Sequence, residues 1–366
     1  MSSTTKTSIF ITGATGYISG SVLERLLAHP KAADFEITSL VRSPEKAKVI
    51  REKFGVNTIV GAHAEHDKLT QLAESADVVI SVTDSDDISA IKAIMQGMKS
   101  RFDKTGIKPT LIHTSGTGFL TDDARGMYAS DKVYHDSRPE EIESLPDTAF
   151  HRNVDLAIID ADNQGYLRAL IVSPPLIFGM ASGPLFEDGL SNRHSIQLPL
   201  LIKTSLARGQ AGMVGEGKSI WNHVHVNDGE RTCALCKRRV SDTYTVIPIV
   251  ADFYLVLLDR VLENPDKVPH GREGFYILEV GEHSWYDLGK GVAEAFSDLG
   301  LSKSDEPTTF TAEEINKYIG NAMIAHLALG SNARGRGEQA RALGWQPKYT
   351  TADLFASIKP EVQALA

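Results

Sequence analysis

The stretch that most constrains this chain is Ile9-Phe10-Ile11-Thr12-Gly13-Ala14-Thr15-Gly16-Tyr17-Ile18-Ser19-Gly20. A β-branched and aromatic run stops at Gly13, a glycine-punctuated turn follows, and Val22, Leu23, Leu26 and Leu27 then recur at helical spacing. The order is strand, tight turn, helix. Gly13 can take backbone angles closed to other residues, and Gly16 lets the main chain approach a ligand with no Cβ in between. The helix that opens here turns free N–H groups and a partial positive charge toward the turn, which suits a pyrophosphate. The candidate contacts are Gly13, Thr15, Gly16, Tyr17 and Ile18.

Downstream, strand-like and helix-like segments alternate. Strands are expected at 35–41, 58–60, 77–82, 110–114 and 169–172, with helices over 67–76, 88–102 and 151–161. Such alternation implies right-handed crossovers and a doubly wound parallel sheet, an α/β fold. Ligands of these sheets sit beyond the carboxyl ends of the strands, an edge that receives Thr12, Arg42, Thr83, Thr114 and Ser115. Arg42 directly follows the second strand, and Lys46 lies four residues on. An acidic residue there would serve the ribose 2′-OH of NAD, whereas a cation suits the 2′-phosphate of NADP. The expected dinucleotide is therefore NADP(H), the competing reading being a solvated basic helix start at 43–46.

At 366 residues the chain can hold one large α/β domain, 1–178, and a smaller, mixed substrate lobe, 179–366, with segments returning to the first domain. A net charge of −9 argues against nonspecific nucleic-acid or anionic-membrane binding. No apolar run reaches bilayer length and residues 1–8 carry no signal-like apolar core, so a cytoplasmic protein with a small-molecule substrate is expected. A homodimer is left open. Two cysteines exclude a disulfide framework.

The residues TGATGYISG resemble the nucleotide turn of extended short-chain dehydrogenases/reductases, in the epimerase/dehydratase and NmrA-like branch. Ser19 stands at that family's third glycine, with Gly20 beside it, so looser helix–strand packing is expected. Gly215-Glu216-Gly217-Lys218 followed by Trp221-Asn222-His223-Val224-His225-Val226-Asn227-Asp228 resembles the G-x-G turn and HV-D strand of the family's substrate lobe. Leu343-Gly344-Trp345-Gln346-Pro347 resembles its closing segment.

The resemblance implies a Rossmann-type domain and hydride exchange with a carbonyl or alcohol. It also implies a Ser that holds the oxygen, a Tyr that moves its proton and a Lys four residues on. Ser115, Tyr128 and Lys132 fit that spacing. A phenol titrates near ~10, so a nearby cation is needed to make it useful at neutral pH. Counting back from Asp155, however, puts the Tyr and Lys slots on Asp147 and His151. Two site readings stay open: a displaced Tyr128–Lys132 pair, or an atypical site using His151, Tyr134 or no acid. The functional alternatives are an NADP(H)-dependent oxidoreductase, an NmrA-like redox sensor without catalysis, and a sugar-nucleotide epimerase or dehydratase.

One piece looks foreign. Between Asp228 and the apolar helix at 250–260 lies a segment, 229–249, holding both cysteines and the run Lys237-Arg238-Arg239. Gly229-Glu230 can be encoded with an intron donor and Ile249-Val250 with an acceptor, and excision is in frame, joining Asp228 to a restored valine. A retained intron is the favoured reading, against a lineage-specific loop or a Cys-x-x-Cys metal or redox site. A metal site needs about four ligands, and no second Cys pair exists.

Overall fold

A computed structural model describes residues 6–226 and 250–366. The 229–249 segment lies outside the described residues. Seven strands build the main sheet: β1 (Thr7–Thr12), β2 (Phe35–Val41), β3 (Asn57–Val60), β4 (Val78–Ser81), β5 (Thr110–Thr114), β6 (Arg168–Ser173) and β7 (Phe275–Ile277). Their order is β7-β6-β5-β4-β1-β2-β3, and every pairing is parallel. The order reverses between β1 and β4, where a doubly wound sheet opens its ligand crevice.

Alternation along the strands explains why helices cover both faces. Ile9, Ile11, Val78, Ile80, Ile112, Leu170 and Val172 join one core, while Phe10, Val79, Leu111, Ala169 and Ile171 join the other. The connecting helices α1 (Tyr17–Leu27), α2 (Pro44–Phe54), α3 (His66–Glu74), α4 (Ile88–Thr105) and α5 (Arg152–Asn163) start and stop on chemical signals. Ser43 caps α2 by accepting from Lys46 N at 3.2 Å, with Pro44 in the first turn. Asp87 caps α4, accepting from Ser89 N and Ala90 N, and Gly106 ends it at φ 71°.

Beyond β6 the chain adds a three-stranded sheet of Leu176–Phe178, Ile220–His225 and Gly281–Ser284, with helices around it. It also returns to the first half. β7 extends the main sheet, and α6 (Val250–Glu263) lies on α1 through Arg25–Asp252 at 3.1 Å and His29–Asp259 at 3.2 Å. Trp345 of the LGW-P segment is fully buried beside Phe253, at 6.1 Å between ring centres. Among the described residues, no helix is long and apolar enough to cross a membrane.

Candidate functional site

The crevice is framed where β1 and β4 end side by side. Thr12 Oγ1 accepts from Val82 N and from Thr83 Oγ1, both at 2.9 Å. Gly13 follows at φ 70°, and a Cβ there would lie 2.7 Å from Thr83 Cγ2. Gly16 N donates to Gly13 O at 2.7 Å, closing the turn, and Gly16 caps α1. The first amides of α1 have no intrahelical acceptor and point at the crevice.

Ser19 does not loosen this packing. Its hydroxyl donates to Gly13 O, so the side chain replaces a glycine contact with a brace across the turn. Close packing passes to Gly20, where a Cβ would meet Ser191 Cβ at 2.8 Å. The Tyr17 phenol turns away from the turn and donates to Gly179 O at 2.5 Å. Burial, with the Glu361 charge adding, pushes that phenol well above its ordinary range. Tyr17 therefore offers the crevice its main chain, and its ring ties α1 to the second half of the chain.

A segment invisible to local reading lies over the turn. Ser191 Oγ donates to Ala14 O at 2.9 Å, and Asn192 N donates to Thr15 O at 3.0 Å. These bonds occupy carbonyls and leave the turn's amides to a ligand. Lys46 Nζ donates to Gly189 O at 3.0 Å and Leu190 O at 2.9 Å, holding the same segment. Arg42 is exposed at the end of β2, and its charge adds to the burial that holds the His63 imidazole below its ordinary value.

The carboxyl end of β5 carries the second half of the site. Thr114 Oγ1 lies 2.6 Å from the buried Tyr254 hydroxyl on α6, so this threonine is spent on packing. Ser115 is buried, and its Oγ donates to Asp155 Oδ2 at 3.1 Å. Asp155 is fully enclosed, and burial pushes its carboxyl up to about 7, against the opposing pull of His151, Ser115 and Arg152. His151 precedes α5 with φ 68°, and its Nδ1 lies 2.9 Å from Asp86 Oδ1 and 3.2 Å from Ser85 Oγ. Burial and the nearby His151 push His113 down to about 3, so its imidazole is neutral.

Ser115, Tyr128 and Lys132 each have a different partner: Asp155, Asp122 and the Tyr134 ring. Residues 121–133 form no helix, so the four-residue spacing gives Tyr128 and Lys132 no common face. Gly126 N donates to Gly330 O at 2.6 Å, and Lys218 N donates to Gly126 O at 2.9 Å, which fastens this segment to the second half of the chain. The half-exposed Tyr128 phenol bonds to Asp122, whose charge raises it above its ordinary value. That is the opposite sign to the cationic tuning expected of a tyrosine acid/base. Lys132 Nζ sits 4.7 Å from the centre of the Tyr134 ring. Asp86 and Ser85 escaped the sequence reading because they join His151 only through the fold; the His151 slot, four residues before Asp155, was the one available signal.

The comparisons with known proteins agree with this geometry. A family model described as NAD(P)H-binding matches residues 13–134. The chain is 30% identical over 349 residues to the oxidase ucsJ of an Acremonium species, covering 93% of this chain and 92% of that one. A UDP-glucose 4-epimerase structure from Bifidobacterium longum, in complex with NAD+ and UDP, aligns at TM-score 0.57 with 15% identity over 98% of both chains. A UDP-glucose-4-epimerase from Stenotrophomonas maltophila, with bound NAD and formylated UDP-arabinopyranose, also aligns at 0.57, with 14% identity over 98% of both.

The expected preference for NADP(H) is corrected by these findings: the solved relatives whose dinucleotide is named hold NAD. The physical reason lies in Lys46, whose ammonium is committed to two carbonyls of the 189–190 turn. Lys46→Ala is expected to lower NADH affinity by no more than about threefold, a surface-bond effect, and to leave the NADH-to-NADPH affinity ratio unchanged. Parallel fluorescence titrations check it; a loss confined to NADPH would return Lys46 to a phosphate-binding role. The glycine turn, the sheet order and the full-length likeness to a fungal oxidase carry one conclusion: this chain belongs to the extended short-chain dehydrogenase/reductase family, NAD(P)-binding proteins related to the NAD-dependent epimerases and dehydratases.

Proposed function

We propose that the protein is an NAD(H)-dependent oxidoreductase of the epimerase/dehydratase type, exchanging hydrogen between a secondary alcohol and the matching ketone of a small molecule. The observation that carries this reading is the pairing of two features on one sheet edge. One is the turn at Gly13–Gly16, closed by Gly16 N donating to Gly13 O next to Thr83 and leading into the start of α1. The other is the buried Ser115–Asp155 pair at the end of β5. The first suits a pyrophosphate, and the second suits a substrate oxygen. The nicotinamide supplies the redox chemistry, and the protein supplies orientation. The oxidase relative and the NAD-holding epimerases support the same reading.

A second reading is an NAD-binding sensor that turns nothing over. The partners of Tyr128 and Lys132, Asp122 and Tyr134, favour it, because the familiar acid/base pair is not assembled. The test is a fluorescence titration with NADH, followed by incubation of the NADH complex with aldehydes and ketones and of the NAD+ complex with secondary alcohols, UDP-glucose and dTDP-glucose. Both NADH absorbance and sugar products are read, since an epimerase returns its dinucleotide unchanged. We expect binding and turnover of at least one compound, with Tyr128→Phe within about threefold of wild type, far less than the ~100-fold loss of a missing acid/base group. Binding without any turnover supports the sensor. A hundredfold loss in Tyr128→Phe would reinstate the phenol.

A further inference from the structure

The ends of β4 and β5 and the start of α5 converge on one imidazole. His151 holds a left-handed backbone at φ 68°, a conformation that is strained for a non-glycine residue and that concentrates at functional sites. Its Nδ1 is held by Asp86 Oδ1 at 2.9 Å and Ser85 Oγ at 3.2 Å. A proton on Nδ1, donated to Asp86, leaves the Nε2 lone pair free to accept. Nε2 is directed at Gly116 and Gly118, where an added Cβ would approach it to 3.2 and 2.9 Å. Two glycines thus keep the space in front of this nitrogen clear.

Unpartnered buried atoms occur on β5, on the turn after it and on the first turn of α5, and two of these residues, His113 and Asp155, feel the His151 charge. Asp155 Oδ1, both nitrogens of His113, Thr117 Oγ1, and Arg152 Nε and Nη1 are enclosed without a hydrogen-bond partner among the described residues. Buried polar atoms are normally paired, so a concentration of orphans marks a place where a ligand's own polar groups arrive. The site also lies on the β4–β5 half of the sheet. A dinucleotide whose pyrophosphate rests on α1 puts one mononucleotide on each half.

We propose that His151 Nε2 is the proton-transferring group of this site, with Asp86 as its positioning residue and Ser115 holding the substrate oxygen. The proposal rests on the NAD reading above and adds to it the residue that handles the proton. In the oxidative direction the alcohol O–H bond breaks and its proton goes to Nε2. The C–H bond breaks with its electron pair, and that hydrogen passes to bound NAD+. A C=O bond remains, and NADH and an imidazolium are the other products. Reduction is the reverse. The charged and titratable groups coupled to the imidazole are Asp86 from the loop after β4, His113 from β5 and Asp155 from α5, the last also under the charge of Arg152.

The test reads the imidazole directly. Diethyl pyrocarbonate acylates a free imidazole nitrogen, and peptide mass spectrometry of the full chain follows the label at His151. We expect saturating NADH to slow labelling of His151 at least tenfold. In His151→Asn, whose new side chain tolerates the left-handed backbone, NADH should still bind within about threefold of wild type, while turnover of any compound found in the substrate screen falls about 100-fold. Asp86→Asn should lower turnover less and leave NADH affinity unchanged. Labelling of His151 that bound NADH does not slow, or turnover that survives in His151→Asn, overturns the proposal alone. Failure of wild type to bind either dinucleotide overturns the NAD reading first, and this proposal with it.

Discussion

Gly16→Val should abolish dinucleotide binding while leaving the protein folded. Gly16 has an extended backbone, φ −84° and ψ 176°, so a valine there meets no conformational penalty. Its Cβ would stand 2.7 Å from Ser19 Oγ and 3.2 Å from Gly13 O, within the cup that the turn and the first amides of α1 form. Ser19 can rotate to relieve the first contact, but the added methyl groups then occupy the approach to those amides. Each charge-assisted hydrogen bond lost to a pyrophosphate is worth about 1.5–3 kcal/mol. Losing two weakens binding by roughly 100-fold or more. NADH fluorescence titration, paired with a thermal melt, reads both halves of the expectation. Near-wild-type affinity would mean that the phosphates do not sit on α1. A collapsed melting temperature would make Gly16 a folding residue. Gly13→Ala is the informative contrast, because its φ of 70° and its 2.7 Å contact with Thr83 Cγ2 put strain into the fold itself.

How much of this was legible in the sequence depended on how local each feature is. β1, β2, β5 and α1 could be read from a dozen neighbouring residues, because β-branched runs, glycines and helical spacing record local sterics. β7 could not. Phe275–Ile277 is three residues long and joins the sheet only through β6, some hundred positions earlier. The glycine turn was legible for the same local reason, but its cover was not: Ser191 and Asn192 reach Ala14 and Thr15 across the whole first domain. Lys46 misleads for that reason. A cation after the second strand suits a 2′-phosphate, yet Lys46 spends its charge on carbonyls 143 and 144 residues away. Tyr128 and Lys132 pose a different problem. Their spacing of four is meaningful only on a helix, and Gly126, with φ 76° and no room for a Cβ against Val214 O, holds their segment in irregular structure.

Asp155→Asn should make the protein more stable at pH 8 and flatten part of its pH dependence. The Asp155 carboxyl is fully buried and pushed up to about 7 in the folded protein, mainly by burial, against about 3.9 in an unfolded chain. A group whose folded pKa is raised binds more protons folded than unfolded. Its stabilising contribution is complete below the unfolded value and drains away as pH rises through the folded one. The window therefore runs from about pH 4 to pH 7, with stability falling as pH rises. Three pKa units correspond to about 4 kcal/mol at most. Asparagine keeps the shape and an acceptor for the Ser115 hydroxyl, but has no charge to bury. The difference between variant and wild type isolates this residue, since the buried Asp136, itself raised to about 6, shifts both proteins alike. Melting temperatures across pH 4.5–8 should converge toward the acid end and separate by several degrees at the alkaline end, with the variant higher. Parallel curves would mean that Asp155 is not the proton-holding partner of Ser115, and the chemistry assigned to the end of β5 would lose its buried acid.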